Sequence, residues 1–310
     1  MSQFAIVADA TCDLNEELRR SNDVTIVPGH LRLPDGSEVL AMPDWAHCPQ
    51  EEFYKTLKKD PNSYSTSPAN VTEFERVFES FAARGVPVLA MSISSGISGA
   101  HGFMQMARQN VLSRYPAARI ICVDTLRYGP GFGLMVLWAC AWRAEGRTME
   151  ETARFLEENK TCFRQAGWLD DLKFVASKGR INHAQAFFGT LAGIKPIGEL
   201  DANGLTTVLV KVKGAKAAYA VMLEYMEKTI VDPQNQIILI AQSDRYKQAM
   251  EYKAMIEEKF SPKQVIITDL HPLCSANIGP GLMAAYYFGT PTSAELAEEK
   301  KLMEEIVNRA

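Results

Sequence analysis

The sequence predicts an α/β protein built from two domains, and three observations support this fold class. The chain has 310 residues, which corresponds to about two domains of ordinary size. Between residues 4 and 145, short apolar runs alternate with segments of helical apolar spacing, a pattern typical of parallel sheets joined by right-handed crossovers. The second half departs from this alternation and contains a hairpin pattern. We therefore predict a parallel-sheet N-terminal domain over residues 1–150 and a mixed-sheet C-terminal domain over residues 151–310.

Each element of the first half follows from its local pattern. A strand over residues 4–8 leads into a loop over 9–13, and the D-x-x-E spacing of Asp13 and Glu16 predicts a helix start. The later elements are, in chain order, a strand (23–27), a hairpin (31–39), a helix (51–59), a helix (70–85), a strand (86–93), a helix that ends near residue 115, a strand (119–124), a glycine loop (129–133) and an apolar helix to residue 145. Because strands and helices alternate, the strands are expected to run parallel.

The second half begins with a capping box, in which Thr148 and Glu151 have the spacing that satisfies the first amide groups of a helix. A hairpin over residues 194–213 is predicted, because Asn203 and Gly204 favour the tight turns of hairpins. The other predicted elements are strands over 236–241 and 265–269, and helices over 182–193, 245–260 and 293–309. Together they predict a mixed sheet.

Composition and charge exclude several classes of function. Hydrophobic residues make up 47% and charged residues 23% of the chain, as in ordinary globular proteins. The net charge of −4, without a long basic run, argues against a nucleic-acid partner. The six cysteines show no C-x-x-C spacing, so neither a zinc site nor a disulfide framework is predicted. Neither a signal peptide nor a transmembrane segment is recognised, and a cytoplasmic protein is expected.

Two clusters of hydroxyl side chains indicate where a ligand binds. In an open α/β sheet, ligands bind at the loops that follow the carboxyl ends of the strands. The hydroxyl residues that precede two predicted helices are Ser65, Thr66, Ser67, Ser94, Ser95 and Ser98. Free N–H groups and the helix dipole favour an anion at such a position, either a carboxylate or a phosphate. The alternative is that these residues only cap their helices.

No catalytic, metal or cofactor motif is recognised beside these clusters. A serine nucleophile is disfavoured, because Ala100 stands where the G-x-S-x-G elbow requires glycine. The glycine loop contains Pro130, which offers no N–H group to a pyrophosphate. We expect this loop to allow a sharp turn and close helix packing instead.

The isolated charged residues and histidines are expected to have structural roles. Asp9, Asp13 and Asp35 lack the spacing of metal ligands and are expected to be solvated or to cap helices. The histidines outside the N-terminal region are expected to lie at the surface or to have their hydrogen bonds satisfied, and they are His101, His183 and His271.

Several helices carry more bulky apolar residues than one amphipathic stripe requires. Core packing is the first interpretation for each of them, and lining of an apolar tunnel is the second, because methionine adapts well to a flexible chain. The residues are Phe103, Met104, Met106, Leu134, Met135, Leu137, Trp138, Phe187 and Phe188.

Seven short motifs occur in an order that resembles a known family. They are Asp9-Ala-Thr-Cys-Asp-Leu14, Ser65-Thr-Ser-Pro68, Ile93-Ser-Ser-Gly-Ile-Ser-Gly99, Val123-Asp-Thr125 with Gly131-Phe-Gly133, Lys178-Gly-Arg-Ile181, Gly193-Ile-Lys-Pro-Ile197 and Gly279-Pro-Gly281. No single motif is specific, whereas the ordered set resembles the DegV family of bacterial fatty-acid-binding proteins.

The resemblance implies a two-domain DegV-like fold that holds one long-chain fatty acid in a buried tunnel. It implies a non-enzymatic carrier, without a cofactor or a metal, that presents the acid to a separate fatty acid kinase for phospholipid synthesis. The residues implied to bind the carboxylate are Ser65, Thr66, Ser94, Ser95 and Asn277. Arg180 and Lys213 are implied as contacts for the anion or a partner.

Three positions depart from the family's pattern. Ala10 replaces a serine of the opening motif, Lys213 stands at the position of an arginine, and Asn277 stands at the position of a histidine. Asparagine carries no charge, and lysine lacks the bidentate fork of arginine. We therefore expect a weaker electrostatic hold on an anion than the family's pattern provides.

Two other functions stay open on the residues alone. An enzyme or binding protein for a small phosphorylated or carboxylate ligand would use the same loops, and a tunnel closed to long chains would favour it. A scaffold without a ligand would require both hydroxyl clusters to act only as helix caps.

Overall fold

The computed structural model describes residues 4–180 and 193–309. Its strands are β1 (Ala5–Asp9), β2 (Val24–Val27), β3 (Gly29–Arg32), β4 (Glu38–Ala41), β5 (Ser65–Ser67), β6 (Val88–Ser92), β7 (Ile120–Asp124), β8 (Phe163–Leu169), β9 (Ile194–Leu200), β10 (Thr206–Lys213), β11 (Ile237–Gln242), β12 (Gln264–Asp269) and β13 (Leu282–Phe288). Its α-helices are α1 (Glu16–Ser21), α2 (Gln50–Lys59), α3 (Val71–Ala82), α4 (Ala100–Arg114), α5 (Gly129–Ala144), α6 (Met149–Glu158), α7 (Leu172–Ser177), α8 (Ala215–Thr229), α9 (Tyr246–Phe260), α10 (Pro272–Ile278) and α11 (Ala297–Arg309). The predicted helix over 182–193, with His183, Phe187 and Phe188, lies outside the described residues except for Gly193.

The described strands form three sheets, and they confirm the predicted α/β class. A four-stranded parallel sheet has the order β2-β1-β6-β7. A six-stranded sheet has the order β10-β9-β8-β13-β11-β12, in which β11 and β12 are parallel and the other neighbours are antiparallel. A small antiparallel sheet has the order β4-β3-β5. The division into domains at residue 150 stays a prediction.

The parallel sheet is buried on both faces, as parallel sheets generally are. Every residue of β1 and β6 is buried. One face packs against α3 and α4 through Phe74, Phe78 and Met104. The other face belongs to a larger core that also contains α5 and one face of the six-stranded sheet. The ends of β1 and β6 are therefore held rigidly where the candidate ligand site begins.

Helix α5 lies between the two large sheets, since it packs against β1 on one side and against β8, β11 and β13 on the other. The predicted glycine loop is wrong, because residues 129–133 form the first turns of this helix, with Pro130 in a position that proline tolerates. The expected close packing is present. A Cβ atom on Gly133 would lie 2.4 Å from the Cys12 carbonyl oxygen, and one on Gly131 would lie 2.8 Å from the Tyr286 ring.

Two further predictions need correction. Helix α1 is capped by Asn15, whose side chain accepts a hydrogen bond from the Leu18 amide at 2.9 Å, and not by Asp13. Residues 65–67 form an edge strand, whereas Asn70 caps the following helix α3 with a complete capping box. The capping box of α6 at Thr148 and Glu151 is confirmed.

Strands β8 and β13 were not among the predicted elements, although they are central to the six-stranded sheet. Within the described part of the chain, no helix combines the length and apolar character needed to cross a membrane.

Candidate ligand-binding site

A cavity of about 200 Å³ opens where the loops after β1, β5 and β6 meet helix α10. We call it the first cavity. Its walls are formed by Asp9, Ala10, Thr11, Gly29, Thr66, Ser67, Pro68, Ala69, Ile93, Ile97, Ser98, Gly99, Ala100, Tyr128, Arg180, Leu273, Cys274, Asn277 and Ile278. The carboxyl ends of parallel strands thus form part of the site, as expected for an open α/β sheet.

Thr66 and Asn277 meet in the wall of the first cavity. Asn277 Nδ2 donates to Thr66 Oγ1 at 2.9 Å and to the Leu273 carbonyl oxygen at 3.0 Å. Both amide hydrogens of Asn277 are therefore engaged, and the Thr66 hydroxyl accepts one of them. Because Thr66 accepts this bond, its own proton is free to point into the cavity. Asn277 thus orients Thr66 and offers no further donor of its own.

A second hydroxyl in the wall has a similar arrangement. Ser98 Oγ accepts a hydrogen bond from the Ala100 amide at 3.2 Å, at the start of α4. Ser98 lines the first cavity, and its proton is likewise available to a ligand. The first cavity therefore offers neutral hydroxyl groups from different elements, at Thr66 and Ser98, and the exposed Ser67 also lines it.

Asp9 joins the two loops that form the floor of the first cavity. Its carboxylate accepts from the Thr11 amide at 2.9 Å and from the Ile93 amide at 2.8 Å. The side chain is buried, so the expectation of a solvated carboxylate is wrong, whereas its capping role at residues 10–12 is confirmed. Burial raises the pKa of Asp9, although hydrogen bonds from Thr11 and Ile93 oppose this shift.

Asp13 connects the loop after β1 to helix α10 by hydrogen bonds. Its Oδ1 atom accepts from the His271 amide at 2.9 Å and lies 3.1 Å from His271 Nδ1. Asp13 is fully buried, so it is not solvated, and it occupies the C-cap position of the short 3-10 helix at residues 10–12, where the alternative prediction of a capping residue is met. His271, by contrast, is buried with its hydrogen bonding satisfied, as expected. Since α10 carries Asn277 into the cavity, the Asp13–His271 contact positions Asn277 and, through it, Thr66.

Asp13→Asn is expected to make the free energy of unfolding fall less steeply as the pH rises. Burial raises the pKa of Asp13 above its usual 3.8, against the opposing effect of His271. The folded state therefore binds this proton more tightly than the unfolded state, and the free energy of unfolding falls as the pH rises from 3.8 through the raised value. Urea unfolding between about pH 4 and about pH 7 measures this slope.

The matched control is Asp35→Asn, since Asp35 is exposed and hydrogen bonds from Ser37 lower its pKa. A lowered pKa makes the free energy of unfolding rise with pH instead of fall. Removal of Asp35 is therefore not expected to make this free energy fall less steeply with rising pH. Parallel profiles for Asp13→Asn and the unmodified protein would contradict the assignment of the slope to Asp13.

The other predicted hydroxyl residues lie outside the lining of the first cavity. Ser65 and Ser95 are exposed, and Ser94 is buried. Ser94 Oγ donates to the Asn203 carbonyl oxygen at 3.3 Å and accepts from the Gly96 amide at 3.1 Å, which links its loop to the turn between β9 and β10. Their contact with a ligand stays a prediction.

The two predicted cations occupy different positions. Arg180 is exposed and contributes to the wall of the first cavity, where it is a positively charged group. Lys213 is exposed at the end of β10, outside the lining of this cavity. The contact of either residue with an anion or a partner stays a prediction.

A second cavity of about 30 Å³ adjoins the first, and the two share Tyr128, Arg180 and Ile278. The second cavity lies between the six-stranded sheet and α7. Its other wall residues are Gln165, Gly167, Trp168, Leu169, Leu172, Val175, Pro196, Gly198, Thr206, Val208 and Leu282. The first cavity, which has hydroxyl groups and Arg180 in a largely apolar wall, thus lies beside a narrower and more apolar space.

Phe187 and Phe188 lie outside the described residues, and the other bulky helical residues with a possible tunnel role line neither cavity. Met104, Leu134, Met135 and Leu137 are buried in the cores, as the first interpretation predicted. Phe103 and Met106 are exposed on α4. The apolar wall comes instead from α7, α10 and the sheet.

Sequence reasoning missed Tyr128 and Ile278, which stand where the two cavities join. Tyr128 follows Arg127 in a loop without a recognisable motif, and Ile278 separates Asn277 from a glycine. Neither residue type signals a binding site by itself. Their position in the cavity walls depends on how the chain packs, including the packing of α10 against the loop after β1 and against β5.

No metal centre is indicated in the part of the chain that the structure describes. No group of three or more histidine, cysteine, aspartate or glutamate side chains there could hold a metal ion.

Comparison with known proteins finds relatives over nearly the whole chain. A family model described as "Uncharacterised protein, DegV family" matches residues 3–290. A DegV domain-containing protein of Clostridium perfringens is 30% identical over 289 residues, which are 93% of this chain and 98% of the relative. A DegV domain-containing protein of Streptococcus pyogenes is 31% identical over 92% of this chain and 98% of the relative.

Solved structures share the fold. A fatty-acid-binding DegV family protein from Thermus thermophilus has a TM-score of 0.82 at 24% identity, over 93% of this chain and 99% of that one. The Fatty Acid Kinase (Fak) B3 protein of Streptococcus pneumoniae, loaded with linoleic acid, has a TM-score of 0.76 at 19% identity, over 92% of this chain and 99% of that one.

Proposed function

The chain belongs to the DegV family, and on this premise we propose that it binds one long-chain fatty acid, with the carboxylate in the first cavity and the acyl chain in the second. The observation that carries this proposal is that the two cavities are neighbours, with Tyr128, Arg180 and Ile278 in the walls of both. A ligand with one polar end and a long apolar tail matches a cavity with hydroxyl and guanidinium groups in its wall that lies beside a more apolar one.

The carboxylate is bound by hydroxyl donors and by one cation. The Thr66 and Ser98 hydroxyls each accept a hydrogen bond from the protein and keep a proton for the ligand. Arg180 supplies the positive charge. Hydrogen bonds to a charged group are stronger than those between neutral groups. The contacts predicted for Ser65, Ser94 and Ser95 stay predictions, because none of these residues lines the first cavity.

The acyl chain supplies most of the affinity. Burial of each methylene group contributes about 0.8 kcal/mol, so a chain of a dozen or more carbons gains far more than one hydrogen bond provides. The narrow second cavity must widen to admit such a chain. The half-buried Ile278 is the wall residue at the entrance.

Thr66→Val is expected to lower the affinity for a long-chain acid by about 10- to 150-fold, since a hydrogen bond to a charged group contributes about 1.5–3 kcal/mol. Valine keeps the shape of threonine and removes the donor. Displacement of a fluorescent fatty acid measures the affinity.

The matched comparison is Ser65→Ala on the same strand. Because the Ser65 side chain is exposed and outside the first cavity, this change is expected to alter the affinity by less than about twofold. An equal loss in both variants would mean that Ser65 contacts the carboxylate as well as Thr66, as the sequence predicted for both residues.

We further propose that the protein acts as a carrier, which presents the bound acid to a separate fatty acid kinase. The support is the family membership and the likeness in fold to the Fak B3 protein. The test incubates the loaded protein with ATP, with and without a purified fatty acid kinase, and measures acyl phosphate. Product only with the kinase supports the carrier role, and product without it would contradict it.

Asn277→His tests the effect of having asparagine where the family's pattern has histidine. Histidine can carry a positive charge where asparagine cannot. If charge at this position assists presentation, the variant forms acyl phosphate faster than the unmodified protein. An equal rate would remove position 277 from that step.

The small size of the second cavity favours a second candidate function, the binding of a small phosphorylated or carboxylate ligand that fills only the first cavity. This function requires the second cavity to stay closed. Binding of a short-chain carboxylate as tightly as a long-chain acid would support it.

A further inference from the structure

Strands β8 and β9 share the shortest ladder of the six-stranded sheet, and the second cavity lies along it. We call the boundary between these two strands the seam. Its register contains the pairs Gly167–Gly198 and Trp168–Ile197 and no others in the described residues. By contrast, β9 pairs with β10, and β8 with β13, along nearly their full lengths. Both strands of the seam contribute to the wall of the second cavity, so a change in the distance between them changes its width.

The residue types at the seam explain why its ladder is short. Pro196 precedes the paired Ile197 on β9 and has no N–H group with which to extend the ladder. Gly167 and Gly198 have no side chains that could pack across the seam. A Cβ atom on Gly198 would lie 2.8 Å from the Thr207 carbonyl oxygen of β10, so β9 fits closely against β10. The hairpin of β9 and β10 is therefore more firmly joined within itself than to β8.

The two ends of the seam are held by different ion pairs. Near the hairpin turn, Glu199 Oε1 accepts from the Gln165 backbone amide at 2.7 Å, and Glu199 Oε2 lies 3.1 Å from Arg164 Nε. Both charged side chains there are buried. At the other end, Lys195 of β9 pairs with Asp170, which directly follows β8, and both side chains are partly exposed. Partly exposed pairs contribute little to stability, whereas a buried pair is costly to break. The seam therefore opens more easily at its Lys195 end.

Glycines flank the hairpin at that same end. Gly193 precedes β9 and Gly214 follows β10, and both have a φ of 85°. The Gly214 amide donates to the Gly193 carbonyl oxygen at 2.8 Å, which keeps the two strands together. Hinge motions are commonly absorbed by a few residues at the ends of elements. The hairpin turn, in contrast, is held by the hydrogen bond from Ser94 Oγ to the Asn203 carbonyl oxygen.

We propose that the hairpin of β9 and β10 is the movable wall of the second cavity. Strand β9 parts from β8 at the Lys195–Asp170 end to admit the acyl chain, and the end at Glu199 stays closed as the pivot. The inference rests on the proposed fatty-acid function, which requires a cavity of about 30 Å³ to widen. Because the acid binds the parted state, the cost of breaking the Lys195–Asp170 pair is subtracted from its binding free energy. Lys195 and Asp170 thus set the affinity from outside the walls of both cavities.

The competing route is a movement of helix α7 away from the sheet. Leu172 and Val175 of α7 form the wall opposite the seam. Both belong to the large core, together with Phe174. A Cβ atom on Gly279 would lie 2.8 Å from the Phe174 ring, so α7 packs closely against the end of α10. A covalent link between β8 and β9 would block the proposed route and leave the movement of α7 free.

The first experiment breaks the ion pair at the opening end. Lys195→Met is expected to raise the affinity for stearic acid by about two- to fivefold, since it removes a contact that opposes parting and keeps the aliphatic stem. Asp170 keeps a cation, because Arg245 Nη2 lies 2.6 Å from its Oδ2 atom. Lys58→Met is the matched control, since it breaks the partly exposed pair with Asp244 outside both cavities and should leave the affinity unchanged. Displacement of a fluorescent fatty acid from the full chain measures both. An unchanged or lower affinity in Lys195→Met overturns the proposal.

The second experiment locks the seam with a disulfide, in the double variant Trp168→Cys with Ile197→Cys. These residues are paired in the ladder, and their side chains belong to the core on the outer side of the sheet. Directly paired strand residues have Cβ atoms about 4.5–5.5 Å apart, close to the separation in a disulfide. The oxidised form is expected to bind stearic acid at least about 100-fold more weakly than the reduced form, because the acyl chain is kept out of the second cavity. The reduced form controls for the lost side chains, and the oxidised unmodified protein controls for its own six cysteines.

The outcomes separate this inference from the function on which it rests. Equal binding by the oxidised and reduced forms overturns the inference in favour of a movement of α7 and leaves fatty-acid binding intact. If the double variant does not fold, the affinity of Lys195→Met decides alone. Failure of the unmodified protein to bind any long-chain acid overturns the proposed function, and this inference with it.

Discussion

Ile278→Trp is expected to abolish binding of long-chain fatty acids while the protein stays folded. Ile278 is half-buried at the junction of the two cavities, and an indole there blocks the path of the acyl chain. Exclusion of four methylene groups costs about 3 kcal/mol, which is more than about 100-fold in affinity. Displacement of a fluorescent fatty acid measures the loss, and circular dichroism checks the fold.

Two controls belong with this experiment. Ile278→Val keeps the passage open and should retain long-chain binding. Val231→Trp introduces the same side chain at an exposed position outside both cavities and should bind normally. If Ile278→Trp binds stearic acid as tightly as the unmodified protein, the acyl chain does not pass between the two cavities as proposed.

Arg164→Met is expected to lower the free energy of unfolding by about 3–5 kcal/mol, because it removes the ion-pair partner of the buried carboxylates of Glu199 and Glu299. Arg164 is 1% exposed. Its Nε atom lies 3.1 Å from Glu199 Oε2, and its Nη2 atom lies 3.3 Å from Glu299 Oε1. This loss is a large part of the total stability of an ordinary domain. Urea unfolding measures it.

The Arg164–Glu199 ion pair also supports the wall of the second cavity, since Glu199 Oε1 accepts a hydrogen bond from the backbone amide of Gln165 at 2.7 Å. Arg309→Met is the surface control, because its pair with Glu224 is exposed and such pairs contribute about 0–1 kcal/mol. The double change Arg164→Met with Glu199→Gln should recover part of the loss, since one unpaired charge is removed. A loss no larger in Arg164→Met than in Arg309→Met would mean that the buried carboxylates need no cation.

Much of the fold could be predicted because most elements carry their own local signal. The hairpin of β9 and β10 turns where Asn203 and Gly204 predicted it, and the capping box of α6 is present. Strand β8 was missed because Arg164, Gln165 and Gly167 interrupt any apolar run. Their burial depends on long-range pairing that local patterns do not reveal.

The site was harder to predict than the fold, because burial on folding decides which of several similar residues lines the first cavity. Ser65 and Thr66 are both hydroxyl residues, but Thr66 is the half-buried one that meets Asn277. The Asp13–His271 contact joins residues 258 positions apart. A single aspartate and a single histidine at that separation show no motif, so their pairing becomes visible only in the folded chain.

The most direct test of fatty-acid binding is native mass spectrometry of the purified protein, followed by organic extraction and identification of what is released. The account predicts one long-chain fatty acid per chain. It also predicts that Ile278→Trp, purified in the same way, carries none. A protein that is purified without such an acid, and that fails to take up added oleate or palmitate, would contradict the account.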